Sequence, residues 1–261
     1  MNLKHLTTAI TACCLAAPSY ANLACEVKSG SATAALVELY TSEGCSSCPP
    51  ADLGLRQLRS QLAPGALVVP LAMHVSYWNG IGWVDPFSQK IFDQRQQQLL
   101  EHKARRVAYT PQFFVNGDEL RNWDGALPAT IKAINSRPAP VTITLKSSPG
   151  ANNSVLLEAQ ASATNPATRG ELYLAISESG LSSQVKHGEN GGRTLRHDDT
   201  VRLWLGPIAL AHGNASVRQQ VTLPAGWQRD RLQAVALVQD PASSTILQAL
   251  STEQCAPTRA L

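Results

Sequence analysis

The sequence predicts an α/β unit followed by an all-β, sandwich-like unit, and three observations carry that prediction. Upstream of residue 137, apolar runs of strand length alternate with segments of helical period. Downstream of residue 141, apolar and polar residues alternate with period two in seven short runs, as in a β-sandwich. Between them lies Ser136-Arg-Pro-Ala-Pro140, a proline-punctuated stretch of the kind that separates periodic segments. The expected boundaries are 1–21 for a signal peptide, 22–137 for the first domain and 141–261 for the second.

In chain order, residues 1–21 read as an export signal. Lys4 and the terminal amine precede an apolar run over residues 6–17, and Ser19-Tyr20-Ala21 supplies the small-x-small pattern of a signal-peptidase site. The run is shorter than the roughly 18 apolar residues of a retained membrane span. Ile10-Thr11-Ala12-Cys13 resembles a lipobox, the competing lipoprotein reading, but leaves almost no apolar stretch ahead of the cysteine. Cleavage after Ala21 gives a periplasmic or secreted chain with no membrane span.

Residues 35–41 (ALVELYT) and 66–75 (ALVVPLAMHV) are expected as buried strands, with a helix over 52–62 between them placing Leu55, Leu58 and Leu62 on one stripe. A loop rich in Trp, Gly and Asp-Pro follows over 76–87, then a long polar helix over 88–105. QFFV at 112–115 turns at Asn116-Gly117, a strong hairpin signal, and residues 127–135 form a closing helix. The order is β-α-β-α-β-β-α. In the second unit strands are expected at 141–145, 155–159, 172–176, 201–205, 217–221, 232–238 and 246–250.

With 44% apolar and 16% charged residues among 261, the chain is long and apolar enough to bury a core, which excludes a disordered protein. Lys plus Arg number 22 against 19 Asp plus Glu. They are spread evenly, which argues against nucleic acid as a partner. Signal removal takes Cys13 and Cys14 and leaves Cys25, Cys45, Cys48 and Cys255 in an oxidising compartment where thiols pair. Four cysteines allow three pairings. Cys45 and Cys48 form the local pair, which leaves Cys25 and Cys255, near the two chain ends, as a structural disulfide.

Cys45-Ser46-Ser47-Cys48 comes directly after a strand and opens a helix. Free backbone N–H groups and the helix dipole favour a thiolate there, so Cys45 is expected as the exposed nucleophile and Cys48 as the buried resolving thiol. Pro49-Pro50 either kinks the first turn or delays the helix to about Pro50. Zinc would need two further ligands, and no second Cys-x-x-Cys or Cys-x-x-His exists; neither a metal nor a tightly bound cofactor is expected. Around the cysteines, Glu38 is read either as a buried acceptor of the Cys48 proton or as a satisfied strand residue. His74, at the end of the second strand, either shuttles protons or makes a structural hydrogen bond. Glu43 opposes thiolate formation by like charge. Tyr77, Trp78 and Trp83 either floor a substrate groove or anchor their loop. His187, Glu189, Arg193 and His197 are adequately explained as a solvated, Gly-rich hairpin.

The β-α-β-α-β-β-α order, with Cys-x-x-Cys after the first strand and Thr110-Pro111 heading the third, resembles the thioredoxin fold. The resemblance implies that the Thr110-Pro111 bond is cis and lies against the cysteines, that Thr110 offers backbone hydrogen bonds to a bound polypeptide, and that Pro111 shields the sulfurs from metal. More narrowly, VELYTSEGCSSCPPAD (37–52), HVSYW (74–78), GWVDPF (82–87) and YTPQ (109–112) resemble the DUF1223 family of exported bacterial thioredoxin-like proteins. Gly188-Glu-Asn190, Gly192-Arg193, Leu195 and His197 extend the resemblance over nearly the whole mature chain. It implies a fold and a redox site and assigns no pathway.

The leading expectation is an exported thiol-disulfide oxidoreductase acting on protein or small-molecule thiols and disulfides, reset by an unidentified redox partner. One alternative is a carrier of copper(I) or another soft metal held by Cys45, Cys48 and His74, against which stand only two Met residues, one the initiator. The other is a non-catalytic binding protein whose Cys45–Cys48 bridge is structural.

Overall fold

A computed structural model describes residues 24–102 and 107–255. The expected export signal and its cleavage site lie outside the described residues. Among the described residues, no helix is long and apolar enough to cross a membrane.

The first half realises the expected order as β2 (Ala35–Thr41), α1 (Pro49–Gln57), β3 (Val68–His74), α2 (Lys90–His102), β4 (Gln112–Val115), β5 (Asp118–Glu119) and α3 (Trp123–Asn135). Helix α1 starts at Pro49, with both prolines in its first turn. Those positions have no intrahelical acceptor for an N–H, so proline loses nothing there. A 3₁₀ turn over Leu58–Gln61 continues α1, and α3 begins four residues before its expected start because Trp123 packs its ring on Phe113 at 4.9 Å.

β2 and β3 run parallel, and β4 pairs antiparallel with the other side of β2. The alternation of β2 sorts its side chains. Ala35, Val37 and Leu39 pack under α1 and α3 with Leu55, Leu58, Leu127 and Ile131, whereas Leu36 and Tyr40 pack under α2 with Phe92, Leu99 and Leu100.

The second half supplies β6 (Val141–Gly150), β7 (Ser154–Ala163), β8 (Glu171–Glu178), β9 (Leu181–Gln184), β10 (Thr194–His197), β11 (Thr200–Ala209), β12 (Asn214–Thr222), β13 (Leu232–Gln239) and β14 (Ile246–Ser251). Strands 8, 11, 13 and 14 pair on to the edge of the first half, giving one sheet in the order β14-β13-β8-β11-β3-β2-β4-β5. The junction is parallel: Thr200 of β11 lies opposite Ala72 of β3, and the Ala72 N–H donates to the Asp199 carbonyl at 2.8 Å. Helix α2 lies on one face of this sheet, its Phe92, Leu99 and Leu100 sharing one buried cluster with Tyr173, Val235 and Leu237 as well as with β2.

The opposite face is divided. Helices α1 and α3 cover one part, and the other is covered by a second sheet of β1 (Cys25–Lys28), β6, β7 and β12, which packs Ile143, Leu145 and Leu157 on Leu172, Leu174 and Ala236. Two packed sheets around a dry interior form the expected sandwich. β1 was not expected as a strand; although it precedes the first unit in sequence, it pairs antiparallel with β6 of the second. Cys25 on β1 is joined to Cys255, beyond β14, closing a span of 230 residues.

The hairpin at Asn116-Gly117 shows why that dipeptide is there. Both residues have positive φ, 49° and 85°, and a side-chain carbon at 117 would stand 2.1 Å from the Ser244 carbonyl oxygen in the segment between β13 and β14. Gly117→Ala is therefore expected to destabilise the protein by about 2 kcal/mol or more, from backbone strain plus displacement of the 244 segment. Denaturant unfolding of the two proteins side by side measures this; equal midpoints would mean that the turn relaxes freely.

Candidate functional site

The parallel strands β2 and β3 end at the same level, Thr41 opposite His74, and the Val75 N–H donates to the Thr41 carbonyl at 2.9 Å. Open α/β sheets place functional groups at such carboxyl ends. From Thr41 the chain turns through Ser42, Glu43 and Gly44 to Cys45, which is joined to Cys48 by a disulfide with Cα atoms 5.4 Å apart. Cys48 caps α1, its carbonyl accepting the N–H groups of Ala51 and Asp52 at 2.9 and 3.0 Å. Thr110-Pro111 is cis, and since Tyr40 pairs with Gln112, it heads β4 at the same end of the sheet as the cysteines.

Two features of this turn differ from the sequence expectation. Both cysteines are closed to solvent, at 0% exposure, whereas Cys45 was expected at an exposed rim. The Cys48 N–H, among the backbone donors expected to be free at the helix start, instead donates to the Cys45 carbonyl at 3.2 Å. The reason for the closure is the loop between β9 and β10, read from the sequence as a solvated hairpin. Asn190, fully buried, donates its side-chain amide to the Glu43 and Cys45 carbonyls, each at 2.9 Å, and is held by Arg193 at 2.8 Å. Glu189 accepts the Ser46 N–H at 2.9 Å, and the Ser46 hydroxyl and N–H hold its carboxyl below its ordinary range. Gly188 has φ +77° and packs against the Ile81 carbonyl and Trp83, so a loop of the second half and the loop after β3 meet at the cysteines.

Beneath the turn is a polar network. The buried Glu43 carboxylate accepts from Trp83 Nε1 at 2.8 Å and Ser183 Oγ at 3.1 Å, and is bonded to His197 Nε2 at 2.8 Å. Its charge is thus met by donors rather than aimed at a thiolate. The His197 ring lies edge-on to His74, centroids 4.8 Å apart, and Phe87 packs edge-on against both. His74 Nδ1 is 2.7 Å from Asp85 Oδ2, which also accepts the Glu43 N–H at 2.8 Å, while Asp85 Oδ1 accepts the Phe87 N–H. Burial works against the charged His74, but the Asp85 charge and hydrogen bond, with Asp52 and Glu43 nearby, raise its pKa above the ordinary value. Burial likewise pushes the Asp85 carboxyl up, and His74 with the two backbone N–H groups more than reverses this.

Glu38 is not brought to the cysteines. It faces α2, on the other side of the sheet from α1, in a two-pronged ion pair with buried Arg95 at 3.0 and 3.2 Å, and Tyr40 donates to it as well. It is a satisfied strand residue. Of the loop aromatics, Trp83 serves Glu43, Trp78 packs on the α2-side core, and Tyr77 remains 43% exposed with its hydroxyl on Gln96. No group of three or more His, Cys, Asp or Glu among the described residues is arranged to hold a metal ion.

Asp85, Asn190 and Asp52 fall within the family-like segments of the sequence but were given no role there. Asp52 carried a usable signal, since it stands four residues after Cys48 and shares its helix face. Asp85 and Asn190 carried none that pointed to the cysteines, because their partners come from distant segments.

The His74–Asp85 pair sets a pH dependence. Asp85, held below its ordinary 3.8, contributes stability that is present above pH 3.8 and lost as the pH falls through its folded value. His74, held above its ordinary 6.5, contributes stability that is present below pH 6.5 and lost as the pH rises through its folded value. Asp85→Asn should therefore cost most between these limits, about 3–5 kcal/mol for a buried pair left without one partner. Urea unfolding of both proteins across pH checks this, and a cost that does not vary with pH would rule out a charged pair.

Residues 36–239 match the family described as "Protein of unknown function (DUF1223)". Among solved structures, a crystal structure of an Agrobacterium tumefaciens protein is 26% identical, covering 85% of this chain and 95% of its own, with a TM-score of 0.60. HBP35 of Porphyromonas gingivalis is 17% identical, with coverage of 89% and 79% and a TM-score of 0.69, a likeness of fold alone. No curated protein matches. With the family match spanning most of the chain and the thioredoxin-like order built around Cys45–Cys48, the protein belongs to the DUF1223 family.

Proposed function

We propose that the protein is an exported thiol-disulfide oxidoreductase that exchanges disulfides through Cys45 and Cys48. The observation that carries this reading is the Cys45–Cys48 disulfide between the end of β2 and the start of α1, with cis Thr110-Pro111 at the same sheet end. A bridge over two residues at a helix start can open and close with little movement of the chain, and the helix end favours the thiolate that opening produces. In the forward sense the Cys45 thiolate attacks a substrate disulfide, a mixed disulfide forms and one substrate sulfur leaves as thiolate. Cys48 then displaces the second substrate sulfur and the bridge is restored, so the substrate gains two electrons and the pair loses two. Reversal oxidises a substrate dithiol.

Substrate sulfurs reach Cys45 once the Glu189-Asn190 loop lifts from residues 43–46, and glycines at 188, 191 and 192 give it the backbone freedom to do so. Substrates are protein or small-molecule thiols and disulfides, and an oxidising compartment, periplasmic or extracellular, suits a chain carrying the Cys25–Cys255 bridge as well. Full burial of both sulfurs favours a second reading, in which the bridge is a structural staple of a binding protein. The soft-metal reading has less support, since among the described residues Cys45, Cys48 and His74 form no group arranged to hold a metal ion.

Trapping separates the first two. Cys48→Ser should accumulate mixed disulfides with substrate, because the first attack proceeds and the resolving thiol is gone, while Cys45→Ser should trap few. Mass mapping of non-reduced adducts reads the outcome. If neither variant traps a partner and the reduced wild-type thiols both alkylate as ordinary cysteines near pH 8.5, the bridge is structural.

A further inference from the structure

The exchange just described needs a base for the resolving thiol, and one acid a helical turn beyond Cys48 has no assigned role. Asp52 lies one helical turn beyond Cys48, its N–H donating to the Cys48 carbonyl at 3.0 Å. Residues four apart on a helix share a face. Asp52 Oδ1 is sealed from solvent and makes no well-formed hydrogen bond among the described residues; the Thr41 hydroxyl at the end of β2 lies near enough to stabilise its charge but outside good hydrogen-bond geometry, and His74 Nε2 is likewise buried without a partner. A carboxylate oxygen buried without a donor costs stability, and a half-buried acid on a helix's first turn could as well point outward to the dipole and water. The rest of Asp52 lines a cleft of about 220 Å³ between α1 and β10, together with Arg56, Arg193 and Arg196. One side of this carboxylate is therefore dry and toward the disulfide end of the sheet, and the other is open to a water-accessible cleft.

We propose that Asp52 is the proton acceptor for the Cys48 thiol in the resolving step and returns that proton to solvent through the α1–β10 cleft. This rests on the exchange reading above. With Cys45 held in a mixed disulfide, the Cys48 S–H proton passes to the Asp52 carboxylate and the Cys48 sulfur bonds to the Cys45 sulfur. The bond from Cys45 to the substrate sulfur breaks, and the substrate departs as a thiolate carrying the electron pair. In the reverse direction protonated Asp52 returns the proton to the departing Cys48 sulfur.

The surroundings suit the role. Burial pushes the Asp52 carboxyl up from its ordinary range, toward that of a thiol, which makes it a better-matched base than an exposed aspartate. His197 on β10, His74 on β3 and the Thr41 hydroxyl on β2 draw it back, and Asp85, from the loop after β3, raises it. Arg56 on the same helix and Arg193 and Arg196 across the cleft complete the charged groups that face it, while Glu43 acts on the site through its bond to His197. A raised carboxyl contributes stability that is lost as the pH rises through its folded value. Replacing it by a neutral amide should therefore leave stability near pH 7 unchanged or higher, the opposite of what a structural acid predicts.

The test uses the reduced full chain and one equivalent of dithiobisnitrobenzoate, which releases a coloured thiolate when Cys45 attacks and a second when Cys48 resolves. Cys48→Ser, lacking the second release, assigns the phases. Asp52→Asn should leave the first release unchanged, slow the second about 100-fold at neutral pH, and converge on wild type above about pH 8.5, where the thiol ionises unaided. Its melting temperature should not fall. A second release with wild-type rate and pH profile in Asp52→Asn overturns the proposal. Should that variant not fold, the wild-type second phase decides: an ionisation below the thiol's own supports the assignment, and a single one at the thiol value overturns it. If wild type shows no second release at all, the exchange reading itself fails, and the Asp52 assignment with it.

Discussion

A carboxylate with no access to water must be met by donors, and the fold around Glu43 answers that requirement. Its side chain is fully buried, and the groups that meet it come from the loop after β3 (Trp83), from β9 (Ser183) and from β10 (His197). Its backbone N–H and carbonyl recruit two more residues, Asp85 and Asn190. Ion pairs of this kind are poor sources of net stability but specify geometry, since a single misplaced partner leaves a charge stranded. Three chain segments thus converge two residues before Cys45, and the turn carrying the disulfide inherits its position from that convergence.

The same logic divides the carboxylates by task. Glu38, one face away, is neutralised by Arg95 and ties β2 to α2; Glu43 ties the two halves together; Asp85 orients the His74 ring and anchors its own loop. Asp52 alone among these has an oxygen without a donor. Buried acids that are fully satisfied do architectural work.

Much of this was legible in the sequence because it is local. The alternation in ALVELYT, the Asn116-Gly117 turn and the cysteines placed between strand and helix are read within a dozen residues. The pairing of β11 with β3 was not legible, since period-two alternation says which face a strand buries and nothing about its neighbour. The docking of Asn190 was hidden for a related reason: Gly188 to Arg193 has the composition of a solvated loop, and its partners lie some 145 residues away in Glu43 and Cys45. Cys45 was expected to be exposed because that docking was not foreseen. Of the two readings of Glu38, the acceptor for Cys48 rested on short sequence distance, but a strand position two residues before Tyr40 puts it on the face that α1 does not cover, as the satisfied strand residue of the other reading.

The continuous eight-stranded sheet makes the two sequence units physically inseparable. A chain ending near residue 140 would keep every residue of the thioredoxin-like order yet leave the edge of β3 bare where β11 now pairs, a long apolar edge of the kind that recruits other strands. It would also lose β1's partner strand and strand Glu43 without His197 or Ser183. The β-structure of the second half therefore shares in holding the turn that carries the sulfurs, through Ser183, Asn190 and His197.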